Sequence, residues 1–286
     1  MNVEDVIADA VVAICASPRL SRLFVLKGGG AMRLFDGMDA RLSIDADFSI
    51  EGNLDVQAES VFKEMSRRLA GAFKEKGYEL LDFKANKRPR KVRAGFPLWW
   101  GGWACEFKLV DRKNRWKSLE TRRRNALVPV GANSSKISID LSEHEYCGIR
   151  RTKTVRGAKI HAYSREMLVL EKLRAICQQH PDYPYRQETK NRARDFYDIH
   201  ALTRDIDAEF IHRCRHHIEA VFRAKDVPLW ILRSLWNDES FVDTFRRGFD
   251  QVRDTLRGPA NSFDVYLEHL RFLLRDIYPN IPDHPK

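Results

Sequence analysis

The spacing of hydrophobic and polar positions along this chain changes near its middle. Over residues 3–15, Val3, Ile7, Ala10, Val11 and Ile14 form one helical stripe, and Ser17-Pro18 stops the helix. A short apolar run, Phe24, Val25 and Leu26, reads as a strand. It meets Lys27-Gly28-Gly29-Gly30, after which Ala31, Met32, Leu34 and Phe35 start another helix. Residues 42–50 alternate, with Leu42, Ile44, Ala46, Phe48 and Ile50 on one face and Ser43, Asp45, Asp47 and Ser49 on the other, as in a half-buried strand. A helix is expected over 61–76 up to Gly77, then strands over 78–83, 103–110 and 136–141. From Ser164 the spacing is helical. Helices are expected over 165–180, 190–203, 208–224, 228–236, 239–256 and 262–277, punctuated by Pro181, Pro184, Pro228, Gly258 and Pro259. The pattern predicts an α+β protein with a mixed β-sheet domain over 1–162 and a helical domain over 163–286.

Charge matters here because of where it lies. Residues 84–124 carry 14 Lys and Arg against Glu106, Asp111 and Glu120, a balance of +11 in a chain whose net charge is +10, so everything else sums to −1. The same segment holds Trp99, Trp100, Trp103 and Trp116. Cations interleaved with rings that can stack on bases point to nucleic acid; the alternative is a solvated basic hairpin whose tryptophans pack inward. Cys15, Cys105, Cys147, Cys177 and Cys214 are scattered singly, which reads as free core thiols rather than a zinc site or disulfide framework. Histidines offer no zinc spacing beyond the adjacent His216-His217, and no nucleophile elbow is present. No leader pattern or membrane-spanning run is apparent, so a soluble, cytoplasmic protein with no membrane partner is expected.

Candidate chemistry concentrates on the alternating strand. Side chains two apart share a face, so Ser43, Asp45 and Asp47 stand in a row with steps of roughly 6 to 7 Å. Neighbouring carboxylates repel, and hard divalent cations with oxygen ligands relieve that repulsion. With a third acid from another strand, the pair could hold two metal ions, one activating a hydroxyl and one stabilising a leaving pyrophosphate. Asp140, ending the alternating Ile137-Ser138-Ile139-Asp140, is the favoured third ligand; Glu106 competes. Upstream, Gly28, Gly29 and Gly30 offer backbone N–H groups at a helix start to a triphosphate, with Ser43 as a further donor. Arg33 and Arg41 either neutralise phosphate or pair with nearby acids. Lys172 has Leu168, Ala175 and Ile176 around it on its expected helix, so its ammonium either snorkels or finds partners. Asp195 and Asp198 lie three apart on a face with Ile199 and Leu202, so one of them could orient Lys172 or Arg33 while the other is structural.

Lys27-Gly28-Gly29-Gly30-Ala31-Met32-Arg33-Leu34, followed by Arg41-Leu42-Ser43-Ile44-Asp45-Ala46-Asp47-Phe48, resembles the signature of the AbiEii-type nucleotidyltransferase toxins, which commonly read Lys-Gly-Gly-Thr-Ala-Leu-Arg-Leu and then Ser-x-Asp-x-Asp-Phe. Glu171-Lys172-Leu173-Arg174-Ala175 resembles the family's lysine helix, and Arg194-Asp195-Phe196-Tyr197-Asp198 its Arg-Asp-x-Tyr-Asp segment. Gly30 departs from the common threonine, a change a phosphate turn should tolerate. The segment 84–124 and the residues beyond Leu202 match nothing in the pattern. The resemblance implies a polymerase-β-type nucleotidyltransferase domain followed by a helical domain. It also implies Mg2+ on Asp45 and Asp47, triphosphate binding by Lys172, and Asp195 rather than Asp198 as the functional acid. An NTP substrate, an RNA acceptor with tRNA 3′ ends as the class, and a cognate antitoxin follow from the same resemblance. Transfer to a protein or small-molecule hydroxyl, or a non-catalytic RNA-binding module, are the other readings.

Overall fold

The computed structural model describes residues 1–38, 44–90, 95–97, 100–186, 190–256 and 260–284. The chain divides into two compact units, Met1–Tyr163 and Ser164–Lys286. In the first, α1 (Val3–Cys15) and α2 (Pro18–Leu23) precede β1 (Val25–Lys27), α3 (Gly28–Asp36), β2 (Asp45–Ser49) and α4 (Ala58–Glu75). Then come β3 (Tyr78–Arg88), β4 (Gly102–Asp111), α5 (Leu119–Arg124), β5 (Ile137–Ser142), β6 (Arg150–Val155) and β7 (Ala158–Tyr163). The strands make one mixed sheet in the order β3-β4-β5-β2-β1-β7-β6.

The two faces of the central strands differ chemically, and that difference orients the sheet. On β2, Ala46 and Phe48 are fully buried, while on β5 Ile137, Ile139 and Leu141 are buried with them. Phe48 meets the ring of Phe24 at 5.5 Å, and Phe107 of β4 meets Phe73 of α4 at 5.8 Å. Burying each such ring stabilises the unit by about 1.5–3 kcal/mol. The helix α4 supplies its share at helical spacing through Val61, Phe62, Met65, Leu69 and Phe73. With the apolar face committed inward, Asp45, Asp47, Ser138 and Asp140 must occupy the other face, because strand side chains alternate.

Several elements depart from the expected spans. The third strand continues through Lys84–Arg88 instead of stopping at residue 83, with Asp82 at a positive φ where the register to β4 shifts. Polar cross-strand pairing carries it onward, which a hydrophobic pattern does not register. The hairpin of β6 and β7 was not expected at all. Arg150, Thr152, Lys153 and Thr154 make β6 an edge strand without an apolar stripe, and edges are where charge belongs. The expected strand over 42–50 is described from Asp45 onward; residues 39–43, with Arg41 and Ser43, lie outside the described residues. All five cysteines are free and buried, as their single spacing implies.

The second unit comprises α6 (Arg165–Cys177), α7 (Ala193–Leu202), α8 (Ala208–Arg223), α9 (Ser234–Asn237), α10 (Glu239–Arg253) and α11 (Phe263–Ile277). The helix expected over 228–236 is a 3₁₀ turn, Leu229–Arg233, running into the short α9. The helix α7 packs on α6, α10 and α11, and its Phe196 meets Phe245 of α10 at 5.3 Å and Phe263 of α11 at 4.9 Å. Among the described residues no helix is long and apolar enough to cross a membrane.

Candidate active site

Strand register decides which acids meet. β2 runs parallel to β5 with Asp45 opposite Ser138 and Asp47 opposite Asp140, so Asp47 and Asp140 are in-register neighbours on one face, about 4.8 Å apart along the ladder. β4 lies beyond, placing Ala104 opposite Asp140 and Glu106 opposite Ser138. Glu106 is therefore two strands from Asp45, and its carboxylate is met by Arg88 at 3.7 Å and Lys136 at 3.6 Å. On the other flank, β1 sets Lys27 opposite Asp47. That row reads Lys27, Asp47, Asp140, Ala104.

Lys27 opens the glycine-turn motif. In the structure its buried ammonium donates to Ser142 Oγ at 3.1 Å and lies 3.6 Å from Glu145 Oε1. One step along the same face, Ser49 Oγ accepts from the hydroxyl of the fully buried Tyr163 at 2.7 Å. The signal for Lys27 was its position between an apolar strand and a glycine turn, where a lysine can only be buried with partners.

The glycine turn touches the acids directly. Gly28 has φ +62°, and a Cβ there would lie 2.6 Å from Asp47 Oδ2. Glycine is needed both for the backbone conformation and for the space. Among the described residues the N-cap Lys27 makes no side-chain capping bond to the start of α3, which suits its first N–H groups to another acceptor. The far end is fixed by Gly37 at φ +64°, whose N–H donates to Arg33 O at 3.2 Å, and by Asp36, held by Arg151 at 2.6 and 2.7 Å. Arg33, expected either at phosphate or in an ion pair, is in ion pairs: its guanidinium lies 3.8 Å from Glu4 and 3.9 Å from Asp5 of α1.

The donor set suits a hard cation. Asp45, Asp47 and Asp140 offer oxygen ligands on one face, although no three His, Cys, Asp or Glu side chains already converge on one point among the described residues. An open row of this kind fits magnesium, which keeps waters and shares its coordination with substrate phosphates instead of filling an all-protein cage.

In the second unit, Lys172 is only 4% exposed. Its ammonium donates to Asp195 Oδ1 at 2.9 Å and Asp198 Oδ2 at 2.6 Å, so both acids hold it, where sequence reasoning expected one. Arg192 lies 3.5 Å from Asp195 Oδ2 and adds a second cation beside that carboxylate. Burial alone would raise the Asp195 carboxyl, but Lys172, Arg192 and Arg194 together hold it below its ordinary value against that penalty and the opposing Asp198. This lysine does not snorkel; it is buried against both acids.

Over residues 9–269 the chain matches the family described as AbiEii: Nucleotidyl transferase AbiEii toxin, Type IV TA system. The chain belongs to the AbiEii family. It is a nucleotidyltransferase of a type IV toxin–antitoxin family, which implies an NTP substrate and an antitoxin partner. Among solved structures, the AbiEii chain is similar to a candidate nucleotidyltransferase from H. pylori at 15% identity and a TM-score of 0.44, covering 99% of this chain and 97% of that one. An antigenic nucleotidyltransferase-like protein from Paracoccidioides brasiliensis is similar at 15% identity and a TM-score of 0.36, over 77% and 93% of the two chains. No curated protein matches.

In this AbiEii protein, Trp103 is partly buried. It packs on Phe62 at 4.9 Å and donates its indole N–H to Glu143 at 2.9 Å. Trp99 lies outside the described residues.

Two substitutions separate the roles within the glycine turn. Gly28→Ala is expected to push the Asp47 carboxylate aside and to cost about 1–2 kcal/mol for its left-handed backbone, with transfer activity falling further than stability. Gly30→Ala would meet only Leu26 carbons at 3.5–4.0 Å and should add about 0.5–1 kcal/mol of helix stability. Thermal melts alongside a labelled-NTP assay check both, and equal effects of the two would contradict the close approach. In the helical unit, Lys172→Met leaves two buried carboxylates facing each other and should cost about 3–5 kcal/mol in urea titration. Because the folded Asp195 carboxyl lies below its ordinary 3.8, its stabilisation is complete at neutral pH and is lost as pH falls through and below that value. A Lys172→Met midpoint equal to wild type would remove the cluster from the framework of this unit.

Proposed function

We propose that this nucleotidyltransferase moves a nucleoside monophosphate from an NTP to a hydroxyl of an RNA acceptor, with tRNA 3′ ends as the class, in a magnesium-dependent reaction in the cytoplasm. Blocked 3′ ends could not be charged, which would make the activity toxic and give the antitoxin its purpose. The observation that carries the reading is the in-register pair Asp47 and Asp140 with Gly28 packed against the Asp47 carboxylate.

Asp45, Asp47 and Asp140 would hold magnesium. When bound, magnesium polarises the phosphates and favours the ionised acceptor hydroxyl at neutral pH. The chain's own residues position the reactants. The Gly28, Gly29 and Gly30 N–H groups at the start of α3 receive triphosphate oxygens, with Ser43 as a further donor. Held in line, the acceptor oxygen forms a bond to the α-phosphorus as the bond to the β-phosphate bridging oxygen breaks. Pyrophosphate leaves with the electron pair, and no side-chain nucleophile is required. Lys27, Ser142 and Glu145 keep the neighbouring end of the acid row rigid. Lys172, Asp195 and Asp198 are assigned to the framework of the helical unit, since both buried carboxylates hold the ammonium there. The excess of cations over residues 84–124 supports an RNA acceptor over a protein or drug.

The test is incubation with each α-labelled NTP, magnesium and total RNA. Wild type should label RNA, and Asp47→Asn or Asp140→Asn should lower the rate about a hundredfold or more. Label found solely on protein or a small molecule would refute the acceptor, and undiminished labelling by Asp47→Asn would refute the site.

A further inference from the structure

The basic segment separates into cations engaged within the fold and cations that are not. Arg122 meets Glu79 at 2.6 Å, Arg123 grips Asp82 through two nitrogens, and Arg124 pairs with Glu120 and Lys87 with Asp55. Among the described residues, Arg112, Lys113, Arg115 and Lys117 have no such acid partner, although they fall within one stretch of six residues. Trp116 sits among them, 78% exposed, with Lys117 Nζ 5.4 Å from its ring centroid. A large ring left in water is an apolar surface the fold does not use.

The turn that presents this ring is firmly built. Asp111 Oδ1 accepts from the Lys113 N–H at 2.8 Å, and the Arg112 N–H donates to Gly77 O at 2.9 Å. The Arg115 N–H donates to Arg112 O at 3.1 Å and the Lys117 N–H to Asn114 O at 2.9 Å. Immediately afterwards Ser118 Oγ caps α5, which Arg122 and Arg123 fasten to β3. A backbone fixed in this way loses little freedom when the turn binds a partner.

We propose that the turn over residues 112–117 is a stacking platform for single-stranded RNA, an inference that rests on the RNA-acceptor reading and extends it to a named surface. A base face stacks on Trp116 while its flanking phosphates meet Arg112, Lys113, Arg115 and Lys117. Duplex RNA hides its base faces and cannot use the ring. The platform follows directly from β4, whose Ala104 and Glu106 pair beside Asp140 and Ser138. From Glu106 to Asp111 the strand runs five residues, about 17 Å. An acceptor with its terminal hydroxyl at the acid row therefore lays bases several nucleotides back on Trp116.

Fluorescence anisotropy of a labelled single-stranded RNA oligonucleotide and its duplex, over a series of salt concentrations, tests this with the full chain. Trp116→Ala should weaken single-strand binding about tenfold or more and leave duplex binding unchanged, while Trp116→Phe should restore most of the loss. Replacing Lys113, Arg115 and Lys117 by Gln should flatten the plot of log affinity against log salt by about 2. In the transfer assay Trp116→Ala should raise the RNA KM and keep kcat. Single-strand binding that is the same for Trp116→Ala and wild type, in protein of unchanged thermal melt, would overturn the platform. If instead wild type never labels RNA, the acceptor reading fails, and the binding data alone still decide for or against the platform.

Discussion

Two carboxylates held side by side on adjacent parallel strands constrain everything else on the polar face of the sheet. Asp47 and Asp140 are opposed by the β2–β5 register, and that register is enforced from behind by Ala46, Phe48, Ile139 and Leu141, which can be buried in no other phase. The core therefore forces together two charges that would otherwise separate. Their repulsion is the kind that a bound cation relieves, so the apolar face of the sheet sets the chemistry of the polar one.

The neighbouring elements extend the same constraint. Lys27 follows β1 into the row beside Asp47, and its buried ammonium needs Ser142 and Glu145. Gly28 comes next because only a glycine fits against the Asp47 carboxylate at that φ, and α3 then starts with uncapped N–H groups close to the acids. The helical unit buries a lysine between two carboxylates, with Arg192 beside Asp195.

Much of the acid-bearing face was legible in the sequence because the alternation of Ala46 and Phe48 with Asp45 and Asp47 states which residues share a side. The pairing of Asp140 with Asp47 was a preference over Glu106 until register fixed it, since periodicity says nothing about which strand lies next to which. Edge strand β6 was invisible because it has no apolar stripe. Two of the partners of Lys172 were legible only as candidates, because they arrive from α7, more than 20 residues away in sequence. Trp103 and Trp116 look equivalent in a basic run, yet one closes on Phe62 and Glu143 and the other stands in solvent, a difference decided wholly by tertiary packing.

A crystal structure of the protein with magnesium and a non-hydrolysable nucleoside triphosphate addresses the acid row most directly. Metal coordinated by carboxylate oxygens of Asp47 and Asp140, with Asp45 completing the set and triphosphate oxygens on the backbone of Gly28–Gly30, is the expected result. Nucleotide ordered elsewhere, or metal bound without Asp47 and Asp140, would contradict it.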